Sequence, residues 1–412
     1  MLRHEDFNKS IHSLFLKHKW NPEISEYYIY KVVREIAFSL ISIFIPIFLY
    51  SELNYSIFQI ILFFLINEFI FLIFIPFSGK IIEKIGIKHS MLIHIPGMII
   101  YTYGLRFLSG DFIADLGLIV LLLVFRVAPK APLTSAEQIF IAKNILNHKG
   151  HEGSSLARIK ILLIITSLVS PLFGGAITYY FGFDMFFNFA IFFMGIAMIP
   201  LLLTKDQYFH STQSSKDVLK YIFKTIPKNF HIAEGARWGI DSLMWIVWPI
   251  FLFLVVENTL DLGVLVSVSG VISIVASYYV GKKIDKKLTK EFLSKMTKVS
   301  TSLFFLRSVF PSQVLIVIFD SINRIVEPVL FLPYEKYFYK FFKSNKNILE
   351  IAIASNMICE LYYFVSFIFL AIYFGTLEFL KIEVGYLAFV VLFIIYGFLT
   401  LLLTKISELS ND

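Results

Sequence analysis

Twelve stretches of this chain run for about the length of a membrane-crossing helix with almost no charge in them. A helix needs roughly 20 apolar residues to cross about 30 Å of hydrocarbon. The stretches fall at 29–50, 57–77, 91–108, 116–137, 159–180, 185–204, 231–256, 260–280, 296–310, 312–334, 348–374 and 383–404, the ninth being the shortest. They are called spans 1 to 12 below. Hydrophobic residues make up 57% of the chain, charged ones only 16%, and mean hydropathy is +0.75. Soluble chains carry roughly 25% charged residues, so a soluble enzyme, a disordered chain and a collagen-like chain are excluded. A disulfide scaffold is excluded too, because Cys359 is the only cysteine. The class left is an all-α polytopic membrane protein. The first twenty residues show no cleavable signal peptide, so span 1 is expected to direct insertion.

Lysine and arginine set the expected orientation. With the N-terminus inside, the inner segments hold 27 of them and the outer loops one, Lys381. The outer loops carry Glu52, Asp111, Asp115, Asp184, Glu257, Asp261 and Glu378 instead. The net charge of +7 therefore reports topology and does not point to nucleic acid. Both termini are expected in the cytoplasm of a cell membrane. Two amphipathic stretches are expected to lie on the inner surface as helices. One is 7–20, with Phe7, Ile11, Leu14 and Phe15 on a face. The other follows Ser214 and Asp217, with Leu219, Ile222, Phe223 and Ile226 on a stripe that Lys216, Lys220 and Lys224 avoid. The expected organisation is an N-terminal segment 1–28, a first six-helix half 29–204, a linker 205–230, a second half 231–404 and a tail 405–412.

The halves repeat. Residues 39–50 read SLISIFIPIFLY and residues 242–253 read SLMWIVWPIFLF. Arg34 and Arg237 extend that register, each twelve residues before its proline, Pro46 or Pro249. Gly79, Glu83 and Lys84 pair with Gly281, Asp285 and Lys286 at nearly the same offset. Arg126, Glu137 and Phe140 pair with Arg324, Glu335 and Phe338. Two parallel six-helix repeats are the arrangement of many secondary transporters, with the binding site near the midplane between them.

The segment Gly79-Lys-Ile-Ile-Glu83-Lys84-Ile-Gly86-Ile-Lys88-His89 resembles the loop motif that follows the second helix in the major facilitator superfamily. The second copy keeps Gly281, Asp285, Lys286 and Lys290 but has Leu288 in place of the later glycine. Span 4 carries Arg126-Val-Ala-Pro129-Lys130, similar to that family's helix-4 motif, with Lys130 where the family has glycine. Span 5 carries Ser170-Pro171-Leu-Phe-Gly174-Gly175, similar to a helix-5 pattern of the family's exporters, with Ser170 for the first glycine. The resemblance covers nearly the whole chain. It implies a fold of twelve helices in two pseudo-symmetric halves, with spans 1, 4, 7 and 10 lining a central cavity and spans 2, 5, 8 and 11 forming the seam. It implies that the loops at 79–89 and 281–290 latch the outward-open form, and that a monomer is the working unit. For Pro171, Gly174 and Gly175 a bend and a close helix contact are expected, from an exporter's geometry or from packing alone.

Ionisable groups inside a bilayer are costly and are functional candidates by default. On the implied fold Arg126, Lys130, Asp241, Asp320 and Arg324 face the cavity, with Trp245 beside them, and Glu68 and Glu360 lie on the seam. Asp320 and Arg324 are four apart and can satisfy one another along their helix. Arg126 and Lys130 are four apart but of like sign. They need an anion between them, either a carboxylate such as Asp241, Asp320 or Glu68, or a solute. Glu68 and Glu360 have no base within four residues, which suits a group that binds a coupling proton; Asp320 is a third candidate. Trp238, Trp245 and Trp248 either bind a lipophilic cation or pack. His94 is expected to be a hydrogen-bonded packing residue and Cys359 a small buried one.

No phosphate-binding Gly-x-x-x-x-Gly-Lys-Ser/Thr loop, His-Glu-x-x-His or Gly-x-Ser-x-Gly occurs, so no nucleotide, metal or other cofactor is expected. The reading is a transporter of a small organic solute by alternating access, driven by protons and leaning towards export, with the lipid bilayer as its solvent. A membrane enzyme or a non-transporting receptor on the same scaffold is the alternative. Within transport, an organic-anion porter stands against a drug exporter.

Overall fold

The computed structural model describes residues 22–141, 152–203, 206–208, 228–284, 290–309, 314–315, 318–323, 325–327, 330, 348–384 and 386–403. Among these residues the chain is helical almost throughout and contains no strand. Span 1 is Pro22–Ser51 and span 2 is Ile57–Phe74, which runs on through Ile75–Phe77 into Ser78–Leu92. Span 3 is His94–Gly104. Span 4 is split into Phe112–Val127 and Lys130–Phe140. Glu152–Leu203 holds spans 5 and 6. Span 7 is Lys228–Ser242, a π-helical turn Leu243–Val247, and Trp248–Val256. Thr259–Ile284, Lys290–Val309, Ile348–Phe379 and Tyr386–Leu402 are spans 8, 9, 11 and 12. Span 10 is described in short helical pieces. The surface helices expected at 7–20 and around 214–226 lie outside the described residues.

Local chemistry explains the interruptions. Glu152–Leu203 leaves helical geometry only at Gly182, with φ 75°, and Ser78–Leu92 only at Gly86, with φ 83°. Both are sharp reversals in a backbone region that residues with a Cβ avoid. In span 4, Pro129 and Pro132 cannot donate to the carbonyls of Phe125 and Ala128, and the helix parts there. Pro249 likewise gives no bond to Trp245, and the π turn directly precedes it. Its repeat partner Pro46 sits inside an unbroken helix. The two copies thus share sequence while their local geometry has diverged.

Span 1 packs along the helix of spans 5 and 6, span 9 along span 12, and span 7 against spans 11 and 12. The halves meet where span 8 lies on span 5 and span 11 on span 2. Small residues permit the first contact: a Cβ on Gly263 would stand 2.4 Å from the Pro171 carbonyl oxygen, and one on Gly175 2.3 Å from that of Thr259. Spans 2 and 11 run antiparallel, with Phe58 against Gly375, Phe64 stacked on Phe367 at 6.4 Å, Phe69 near Phe364 at 5.9 Å, and Gly79 against Ile353. Near the lysine-rich face, Gln138 of span 4 donates to Asn356 Oδ1 of span 11 at 2.8 Å, and Asn356 donates to Ser135 at 3.1 Å. Near the carboxylate-bearing face, Tyr50 of span 1 meets Phe253 of span 7 at 6.5 Å. The halves therefore touch near both faces.

Replacing Gly263 by Val should wedge spans 5 and 8 apart and lower the melting temperature of the detergent-solubilised protein by several degrees. Gly195→Ala should leave it unchanged, since nothing lies within 4 Å of a Cβ there. Thermal unfolding followed by intrinsic fluorescence reads both.

Candidate functional site

Three knots of polar side chains hold the first half, two near the lysine-rich face and one near the other. Glu137 of span 4 binds Arg34 Nη1 at 2.5 Å and Lys31 Nζ at 2.9 Å, both from span 1. Arg34 also donates to the Tyr30 hydroxyl at 2.8 Å. The repeat singled out Arg34 and Glu137 separately; the fold makes them partners. Near the opposite face Tyr55 donates to Asp115 at 2.6 Å, and the Ser109 and Gly110 amides converge on the same carboxylate. Burial and that hydrogen bond push the Tyr55 phenol above the ordinary tyrosine range.

The segment 79–89 differs from the loop expected of it. It is helical up to Gly86, so Gly79, Glu83 and Lys84 lie on a continuation of span 2. Gly79 packs against the tip of the Ile353 side chain on span 11, which would stand 2.8 Å from a Cβ there. Gly86 makes the turn. Beyond it the Lys88 amide donates to Asp206 Oδ1 at 2.9 Å, the His89 ring meets Asp206 Oδ2, and Lys88 Nζ donates to the Leu202 carbonyl at 3.1 Å. Gly86 and Lys88 thus cradle the residue that follows span 6, within the first half. Asp206 was missed in the sequence, where a lone carboxylate after span 6 facing a turn glycine was the available signal. In the second copy Gly281 lies within span 8, while Asp285 and Lys286 lie outside the described residues.

At mid-depth the structure gathers groups from four spans. Arg126 Nη1 donates to the Tyr101 hydroxyl at 3.3 Å, and its guanidinium lies 4.9 Å from that ring. Lys130 sits 4.2 Å over Phe71. Among the described residues neither has a carboxylate at salt-bridge distance. Glu68 and Glu360 are buried, at 5% and 8% exposure, and each carboxyl is within electrostatic range of the other. Lys130 is within electrostatic range of Glu360. Tyr363 is within that range of Glu68, Glu360, Asp241 and Arg126. Asp241, half-buried, feels Arg237, Glu327 and Glu234. Trp245, one turn along, is 51% exposed. Trp238 donates to Glu234 at 2.6 Å and abuts Tyr363 edge-on. Glu234 also accepts from the Cys359 thiol at 3.1 Å.

Asp320 has a partner from another span that sequence distance did not offer. It binds Arg307 of span 9 at 3.1 Å, with both side chains buried. Arg324 lies outside the described residues. Arg307 also lies 4.5 Å over the Trp248 ring, so Trp248 packs in the core. Arg307 was missed because it sits in the shortest apolar run, close to its end. His94 is corrected too. Its ring stacks on Phe38 at 5.3 Å, but neither nitrogen has a hydrogen-bond partner among the described residues. In span 5, Ser170 bonds back to the Thr166 carbonyl at 2.8 Å and the backbone stays helical through Pro171. Gly174 admits Phe44 of span 1 and Gly175 admits span 8, so close contact is the part of that segment's expected geometry observed here.

Removing one member of a buried ion pair costs about 3–5 kcal/mol, while replacing both by apolar residues is far milder. Arg307→Leu alone should sharply destabilise the protein, and Arg307→Leu with Asp320→Leu should recover most of the loss. Thermal unfolding of the single and double variants checks this.

No curated protein matches the sequence significantly. Solved structures match the fold. A variant of the E. coli fucose:proton symporter FucP aligns with TM-score 0.62 at 11% identity, over 94% of this chain and 98% of that one. The human organic anion transporter MFSD10 (TETRAN) aligns with TM-score 0.62 at 11% identity, over 92% and 99%. A D-xylose-proton symporter aligns with TM-score 0.61 at 12% identity, over 92% and 97%. Identities this low speak for the fold alone. The sequence model of the Major Facilitator Superfamily matches residues 28–322, and the chain belongs to that family of membrane transporters.

Proposed function

We propose that this chain is a secondary active transporter that moves a small organic solute by alternating access, coupled to protons, as a monomer with both termini in the cytoplasm of a cell membrane. The observation that carries the reading is the mid-depth cluster of Glu68, Arg126, Lys130, Asp241 and Glu360, drawn from both halves of a transporter fold. Charges are costly at that depth unless they serve a pathway. Arg126 and Lys130 are assigned to the solute, together with Asp241, Trp245 and Arg324. Their like charges rest on aromatic rings, and an anionic group of the solute supplies the counter-charge that the described carboxylates leave unsupplied. Asp320 is assigned to holding Arg307 rather than to the solute or the proton. Gly79 to Lys88, with Asp206, act as the conformational latch, and Gly281, Asp285 and Lys286 as its second copy. Export is the direction we assign, on the resemblance of Ser170 to Gly175 to exporter sequences. Two of the structural neighbours are proton symporters and one is an organic anion transporter, which supports protons and an anionic solute.

A ligand that binds only the folded state raises its melting temperature, by about 2.7 kcal/mol of stability at a hundredfold excess over Kd. A panel of small organic anions and lipophilic cations should yield anions that stabilise the wild type and fail to stabilise Arg126→Ala. Stabilisation by the cations alone would overturn the anionic assignment.

A further inference from the structure

Glu68 and Glu360 come from different halves and meet where span 2 crosses span 11. The ring contact of Phe64 with Phe367 lies on one side of the pair and the contact of Gly79 with Ile353 on the other. Asn67 donates to Glu68 Oε1 at 2.9 Å. Among the described residues, Glu68 Oε2, Glu360 Oε1 and Asn67 Oδ1 are buried with no hydrogen-bond partner. The site therefore holds more acceptors than donors. An ionised carboxylate only accepts, so two of them in contact repel and share no hydrogen bond until one carries a proton.

The surrounding charges leave that proton without a substitute. From span 4, Lys130 is within range of Glu360, but its ammonium rests on Phe71, and Arg126 is turned to Tyr101. From span 7, Asp241 adds a further acid nearby, while Glu234 is engaged by Trp238 and Cys359. From span 11 itself, Tyr363 sees both carboxyls, Asp241 and Arg126.

We propose that a single proton bridges Glu68 and Glu360, clasps the two halves together in this form, and frees span 2 from span 11 when it leaves. The inference rests on the proton-coupled reading above and names the place where the proton binds. On release the O–H bond breaks, the proton passes to water, and two carboxylates remain facing each other. A glutamine at either position offers an amide donor to the remaining carboxylate, so it imitates the proton and cannot release it.

The test is the distance between the halves. Spin labels are placed on cysteines at Glu52 and Glu378, both exposed near the carboxylate-bearing face, in a Cys359→Ser background. Double electron–electron resonance is recorded in lipid nanodiscs and sodium-free buffer at about pH 6 and about pH 8, a range over which ordinary carboxylates stay ionised. The expected result is a short, narrow distribution at the lower pH that shifts to longer distances at the higher. Glu68→Gln and Glu360→Gln should each stay short at both, and Glu68→Ala with Glu360→Ala should lose the short population at both. The proposal is overturned if the parent pair does not respond to pH, if both glutamine variants shift as the parent does, if Asp241→Asn alone abolishes the shift, or if the shift requires sodium. No solute enters the measurement, so a failed clasp and a failed transport assignment remain distinguishable.

Discussion

Hydrocarbon offers no hydrogen bonds, so each ionisable side chain in these spans must find its partner inside the bundle. That requirement organises the described structure. Arg34 and Lys31 close on Glu137, which ties span 1 to span 4. Arg307 closes on Asp320 and Trp248, which ties span 9 to spans 10 and 7. The first knot lies within the first half and the second within the second, so neither ties the two halves to each other. The groups that remain at mid-depth are not paired in this way. Arg126 and Lys130 rest on aromatic rings, and Glu68 faces Glu360 across the seam. Incomplete pairing is where a solute or a proton has something to contribute.

The seam itself combines two kinds of contact. Gly175 and Gly263 bring backbones together without side chains, a dispersion contact that depends on shape and not on charge. Gln138, Asn356 and the carboxyl pair add polar contacts that depend on orientation or protonation. A transporter must break some of its inter-half contacts in each cycle. Polar contacts that a proton can make or remove are suited to that, while the glycine surfaces let the helices slide without a step in side-chain packing.

Much of the fold was legible because crossing a bilayer imposes a length on every helix and lysine bias imposes an order. The turn glycine Gly86 was legible as well, within the 79–89 motif, whereas the parting of span 4 at Pro129 was not, because 116–137 is one apolar run. The partners were harder to read. Sequence distance offered Asp320 only Arg324, four residues along its own helix, and gave no sign of Arg307, which the bundle supplies from the preceding span. Glu68 and Glu360 were chosen because no base lies near either in sequence, and nothing in one dimension shows that they touch. Asp206 meets Lys88 only because Gly86 turns the chain towards the end of span 6. His94 looked like an ordinary hydrogen-bonded core histidine and stacks on Phe38 with both nitrogens unpaired. Composition and period fix elements one at a time, whereas sites arise where elements cross.

The central claim is that solute movement is coupled to protons. Its most direct measurement is solute flux in sealed proteoliposomes under an imposed pH gradient, using an anion that binds the purified protein. The account predicts concentrative movement of the anion that collapses when a protonophore dissipates the gradient, together with a matching movement of protons. Binding without flux, or flux that only equilibrates the anion and ignores the gradient, would contradict it.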